Sequence, residues 1–137
     1  MNNSVTIPTG TKIFLVEDDA FISMMLVKNF EATGATVLTD ARGDTATENI
    51  KKAMPNIIVL DIQLPGADGL QILQQIKADP DTKNIPVVML SNFGDKEKIE
   101  KAKQLGAVAF LIKATLPADE IVAEIAKHLK VETMTRG

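Results

Sequence analysis

A chain of 137 residues is long enough for one domain with its own core and too short for two ordinary ones. Hydrophobic residues make up 45%, which excludes a disordered chain, and the net charge of −3 gives no electrostatic footprint for nucleic acid. Cysteine is absent, excluding a disulfide framework and cysteine-ligated zinc. No apolar run reaches the roughly 20 residues of a membrane span, and "MNNSVTIPTG" lacks the basic start and apolar centre of a signal peptide. The expectation is a soluble cytoplasmic protein with no membrane contact.

In chain order, residues 1–11, rich in Asn, Thr, Pro and Gly, read as a flexible leader. "KIFLV" (12–16) is the first apolar run. A helical segment over 20–33 follows, with Phe21, Ile22, Met25, Leu26 and Phe30 on one face and Gly34 at its end. "ATVLT" (35–39) is a weaker, more polar run that fits a sheet edge. Segment 44–54 places Ala46, Ile50, Ala53 and Met54 at helical spacing before Pro55 stops it. "NIIVL" (56–60) and the helix Gly69 to Lys77, with Leu70, Leu73 and Ile76, come next. "PVVML" (86–90) leads into a thin stripe of Ile99, Ala102 and Leu105 in a charged segment over 95–105. "VAFLI" (108–112) precedes the last helix, Pro117 to Lys130, and "VETMTRG" (131–137) reads as a flexible tail. Four of the five apolar runs are continuous, as strands buried on both faces require. Strands alternating with helices predict one α/β domain over 12–130, a doubly wound (βα)5 sandwich around a five-stranded parallel sheet of flavodoxin-like order 2-1-3-4-5.

Ligands of such a sheet bind beyond the carboxyl ends of its strands. Asp61 ends the third run, and Glu17 and Asp18 end the first. With strands one and three adjacent, three carboxylates share one crevice, and their repulsion calls for a cation. Oxygen donors alone, with no Cys or His, suit Mg²⁺. Ser91 after "PVVML" and Lys113 after "VAFLI" add a hydroxyl and an ammonium at two further strand ends. An acid pair, an Asp, a hydroxyl and a Lys, each on its own strand end, predict an aspartyl-phosphate site. Asp61 attacks phosphorus, while Ser91 and Lys113 hold the phosphoryl oxygens.

Four segments, "VEDDA", "VLDIQLPGADGL", "PVVMLS" and "FLIK", stand in that order and spacing. With them the chain resembles the receiver domain of bacterial two-component response regulators, over about residues 12–130, and in particular a stand-alone, chemotaxis-regulator-like receiver. The resemblance implies that Asp61 is the phosphoacceptor. It implies that Asp18, Asp61 and the backbone carbonyl of Gln63 bind Mg²⁺, with Glu17 contributing directly or through water. Ser91 and Lys113 would contact the phosphoryl group, and Phe110 would be the aromatic that turns inward as Ser91 moves. A sensor histidine kinase or phosphotransfer protein would be the donor, and a downstream protein, not nucleic acid, the target. The chain departs from the family at three places. Ala114 replaces the usual proline after the strand-five lysine, Asn92 replaces a small residue after the hydroxyl, and Phe110 replaces a common tyrosine. A cis Lys113–Ala114 bond would cost about 2.5–4 kcal/mol, so a trans bond and a rearranged "ATLPAD" are expected.

Plainer roles compete at each position. Asp19 fits a helix N-cap and Asp68 turn and cap chemistry. Ser91 could cap the next helix, and Phe110 could be core packing. His128, near a helix end with Lys127 and Lys130, is expected to be exposed. "DKEKIEKAK" reads as a solvated helix face. Two other functions compete with this one. A Mg²⁺-dependent phosphatase with an aspartyl nucleophile needs a second acid two residues on, where Gln63 stands. A degenerate receiver that binds partners without phosphorylation conflicts with the complete set Glu17, Asp18, Asp61, Ser91 and Lys113. The segment after Lys130 is too short for an output domain, so a module that catalyses only its own phosphorylation and dephosphorylation is expected.

Overall fold

The computed structural model describes residues 7–129. Strands β1 (Lys12–Val16), β2 (Thr36–Asp40), β3 (Ile57–Asp61), β4 (Val87–Ser91) and β5 (Ala109–Ile112) form one parallel sheet in the order β2-β1-β3-β4-β5. Helices α1 (Ala20–Glu31), α2 (Gly43–Ala53), α3 (Gly69–Ala78), α4 (Lys96–Gln104) and α5 (Ala118–Ala126) make the crossovers. The expected doubly wound sandwich and its strand order are what the chain adopts. As its polarity predicts, β2 lies at the sheet edge and is the strand with exposed positions.

Alternate side chains of each strand point to opposite faces, so one continuous apolar run supplies two cores. Ile58 and Leu60 pack with Ile50, Leu73 and Ile76 under α2 and α3, while Ile57 and Val59 pack with Leu26, Phe30 and Ile125 under α1 and α5. Every residue of β3 is buried. Removing one such side chain, as in Leu60→Ala, costs about 2–5 kcal/mol. The sheet is therefore a stiff platform, and what stands at its strand ends is held in place.

Local chemistry sets the helix starts. The Asp19 Oδ1 accepts from the N–H groups of Phe21 (2.9 Å) and Ile22 (3.0 Å), Asp68 caps α3 through Leu70 N, and Asp95 caps α4 through Glu97 N. Asp19 and Asp68 thus take the capping roles read from the sequence.

Four expectations need correction. Met54 is not a core residue of α2. It is its left-handed C-cap (φ 47°) and is exposed, because Pro55 cannot continue the helix. Residues 7–11 are not loose. Ile7 is buried against Phe30 and Ala35, its N–H donates to Thr33 O, and Thr36 N donates to Thr11 O. The rest of the leader, 1–6, and the tail, 131–137, lie outside the described residues. His128 is half-buried, since the hydrogen-bonded turn that follows α5 sets it in a recess with Lys77 and Lys83 at the amino edge of the sheet. The last helix is also shorter than expected, with Lys127 to Leu129 in a tight turn and Lys130 outside the described residues.

Candidate functional site

Parallel pairing in register brings the carboxyl ends of β1, β3, β4 and β5 level. Val16 lies opposite Leu60, Asp61 opposite Leu90, and Ser91 opposite Ile112. The next residues along β1 and β5 are Glu17 and Lys113. A cleft of about 370 Å³ opens above these ends, lined by Glu17, Asp18, Asp61, Gln63, Ser91 and Lys113 among others. Each of these residues was expected there. Phe110 does not reach the cleft wall. It is half-buried one strand turn below, against the core under α3 and α4.

Glu17 and Asp61 are buried, at 3% and 5% exposure. The Lys113 Nζ donates to Glu17 Oε1 at 2.8 Å and to Asp61 Oδ2 at 3.1 Å. The remaining Glu17 oxygen accepts from Asp19 N at 3.0 Å, and Asp61 Oδ1 receives only a long contact of 3.4 Å from Gln63 N. Asp18 is exposed at the rim. One carboxylate oxygen from each of Glu17, Asp18 and Asp61 lies within 4.8 Å of the others. The donor set is all oxygen and carries three negative charges, so it fits a hard divalent cation.

Two carboxylates sharing one ammonium explain the local acidities. Burial pushes the Glu17 carboxyl above its ordinary value, and the repulsion of Asp61 adds to this, against the lowering by Lys113 and the Asp19 N–H. For Lys113, burial alone would lower the ammonium. The hydrogen bond to Glu17 and the attraction of both acids outweigh it and raise the group above 10.5. The lysine gains from two partners, whereas Glu17 shares its lysine with Asp61.

The loop after β3 packs close against Asp61. Gln63–Leu64 and Ala67–Asp68 form a short hairpin turning at Gly66 (φ +85°), and Gly69 then starts α3 hard against Asp61. A Cβ at Gly69 would collide with the Asp61 carbonyl and come within 2.7 Å of Ile62 Cα. Only glycine lets the helix begin this close to the acid. On the other side Ser91 Oγ accepts from Phe93 N at 3.3 Å, so it shapes the loop and does not cap α4. Asn92 and Phe93 line the mouth, both exposed. Lys113 opens a single 3-10 turn (Lys113–Thr115), and no peptide bond among the described residues is cis, as expected with Ala114.

Among the lining residues that the sequence does not single out, one is a half-buried lysine. Lys98 of α4, dismissed within a solvated run, borders the same cleft. Lys96 shares the first turn of the helix with it, and only burial sets the two lysines apart.

A sequence model of the response regulator receiver domain matches residues 13–126. The phosphate regulon transcriptional regulatory protein PhoB of Rhizobium meliloti is 30% identical over 119 residues, which cover 87% of this chain and 52% of that protein. Sporulation initiation phosphotransferase F of Bacillus subtilis is 30% identical over 122 residues, 89% of this chain and 96% of that one. The chain thus spans about half the length of PhoB and nearly all of the sporulation protein. The BeF3-activated N-terminal receiver domain of Klebsiella pneumoniae RstA superposes with a TM-score of 0.80 at 27% identity, covering 88% of this chain and all of that one.

Proposed function

The chain belongs to the response regulator receiver family, a class of phosphorylation-controlled signalling modules, and on that premise we propose that Asp61 is its phosphoacceptor. The observation that carries the reading is the pairing of Asp61 with Lys113 at 3.1 Å, on the floor of a cleft where three carboxylate oxygens lie within 4.8 Å of one another. An Asp61 oxygen forms a bond to phosphorus as the bond from phosphorus to the donor's nitrogen or oxygen breaks, and the leaving atom takes a proton from solvent. Water later attacks phosphorus and releases phosphate, returning the Asp61 carboxylate.

Glu17, Asp18 and Asp61, with the Gln63 carbonyl, would hold a divalent cation, in our reading Mg²⁺. Held there, the ion would supply positive charge against the phosphoryl oxygens. The Lys113 ammonium, already aimed at Asp61, turns to an incoming phosphoryl oxygen, and the Ser91 hydroxyl leaves its contact with Phe93 N to donate to another. Movement of Ser91 frees space beside the β4–β5 edge, where half-buried Phe110 can swing inward. This links phosphorylation to the surface of α4 and β5, where a downstream protein would read it. Receivers of response regulators are phosphorylated by histidine kinases. The donor here would be a sensor kinase or a phosphotransfer protein, met in the cytoplasm. Among the described residues no helix is long and apolar enough to cross a membrane. The phosphatase reading loses support because the amide of Gln63 occupies the place of its general acid.

Mass spectrometry after incubation with a small phosphodonor tests the proposal. The parent should gain one phosphoryl group with a divalent cation and none in excess chelator, and Asp61→Asn should gain none. An equal mass increase in Asp61→Asn removes Asp61 from the role.

A further inference from the structure

Lys98 stands apart from the other lysines of α4. Lys96, Lys101 and Lys103 are exposed, whereas Lys98 is half-buried and borders two adjoining recesses. One is the cleft above Asp61, and the other runs under the hairpin at Leu64 and Ala67. Ile62 and Gln63 are shared by both. Among the described residues Lys98 forms no ion pair, while Lys113, the other lysine of the cleft, is engaged by two acids.

The position is costly for a cation. Lys98 lies in the first turn of α4, behind the Asp95 cap, where the helix dipole favours negative charge. In α5 the same turn holds Asp119 and Glu120, as the dipole prefers. A lysine set against its own helix, half-buried and without an acid, is a local conflict of the kind that marks function.

Charge counting shows what would resolve it. Glu17, Asp18 and Asp61 bring three negative charges, Lys113 returns one, and a divalent cation cancels the other two. The cleft is then neutral before phosphorylation. Asp19 and Asp95 also line it, but their carboxylates are bonded to the first N–H groups of α1 and α4. On phosphorylation the single charge of Asp61 is replaced by the roughly two of a phosphoryl dianion. One negative charge is then left without a partner among these groups. We propose that Lys98 supplies this last positive charge, reaching from α4 to the phosphoryl group and holding it. The inference rests on the aspartyl-phosphate reading and deepens it.

The test uses the full chain and trifluoroberyllate, the phosphoryl mimic present in the RstA relative. Its affinity is read by fluorine NMR in the presence of Mg²⁺, and Mg²⁺ affinity is read separately by calorimetry. Lys98→Met should bind the mimic about tenfold more weakly, a change worth about 1.4 kcal/mol. It should bind Mg²⁺ as well as the parent or slightly better, since a nearby positive charge is gone. Lys98→Arg should restore the mimic. A damaged fold weakens both ligands and is not rescued by arginine, so that pattern overturns the inference, as does unchanged mimic binding in Lys98→Met. A parent that takes up neither the mimic nor a phosphoryl group overturns the aspartyl-phosphate reading, and this inference with it.

Discussion

At the amino edge of the sheet, Lys77 donates to the carbonyls of Lys83 (3.0 Å) and Ile85 (2.8 Å). At the carboxyl edge, Lys113 donates to the carboxylates of Glu17 and Asp61. Both lysines are half-buried, yet burial lowers the ammonium of Lys77 below 10.5, whereas the paired acids raise that of Lys113 above it. The amino edge closes polar groups with neutral partners, as when Thr82 Oγ1 donates to Ile76 O and Lys12 Nζ to Ala53 O, and its acids Asp79 and Asp81 face Lys51. It needs nothing further. The carboxyl edge gathers three acids around one lysine and stays short of positive charge. An edge left unbalanced in the resting state is one that a cation and a phosphoryl group can complete.

Replacing each lysine should separate the two edges most sharply. Lys113→Met leaves Glu17 and Asp61 buried together without a cation, and breaking a buried charge cluster costs about 3–5 kcal/mol. Most of that loss should return on adding a divalent cation, which takes over the lysine's role in stability. Lys77→Met orphans two carbonyls at about 1–3 kcal/mol at most, and the cation should not change its melting temperature relative to the parent. Equal cation rescue of both variants would erase the distinction between the edges.

A smaller effect should come from the rim of the same cluster. Asp18 is exposed, so neutralising it relieves only a screened repulsion, below about 1 kcal/mol. Asp18→Asn should therefore melt up to a few degrees higher than the parent without metal, and should lose the further rise on adding Mg²⁺. A metal response equal to the parent's would take Asp18 out of the ligand set.

The carboxyl edge was far more legible in the sequence than the amino edge. Its residues sit at strand ends, where a continuous apolar run stops abruptly on Asp61, Glu17 or Lys113. Parallel pairing makes those stops converge whatever the loops do. The (βα)5 order followed from the same runs. Less legible were features set by tertiary placement. The burial of Ile7 depends on a groove between β2 and α1 that no local period encodes. His128 reads as a helix-end residue until the turn after α5 sets it beside Lys77. Lys98 was hidden among charges of equal appearance, because only packing distinguishes one lysine of α4 from the next. The sequence also cannot show that Gly69 touches the Asp61 backbone, although its place at a helix start hinted at a turn.

The weakest contrast between the edges is one of pH. In the unfolded chain Lys77 takes the ordinary value of 10.5, and in the fold its value is lower because burial disfavours the charge. Between the two values the unfolded state binds more protons than the native one, so stability rises with pH there. Below the folded value Lys77 is charged in both states and its desolvation is a constant liability. Above 10.5 it is neutral in both and the liability is gone. Melting curves of the parent against Lys77→Met, taken in steps up to and past 10.5, should therefore diverge, with the parent gaining stability that the variant does not. The comparison cancels every exposed lysine, since both proteins share them. Parallel curves would mean that the carbonyls of Lys83 and Ile85 offset the burial in full, and that the amino edge carries no electrostatic penalty at all.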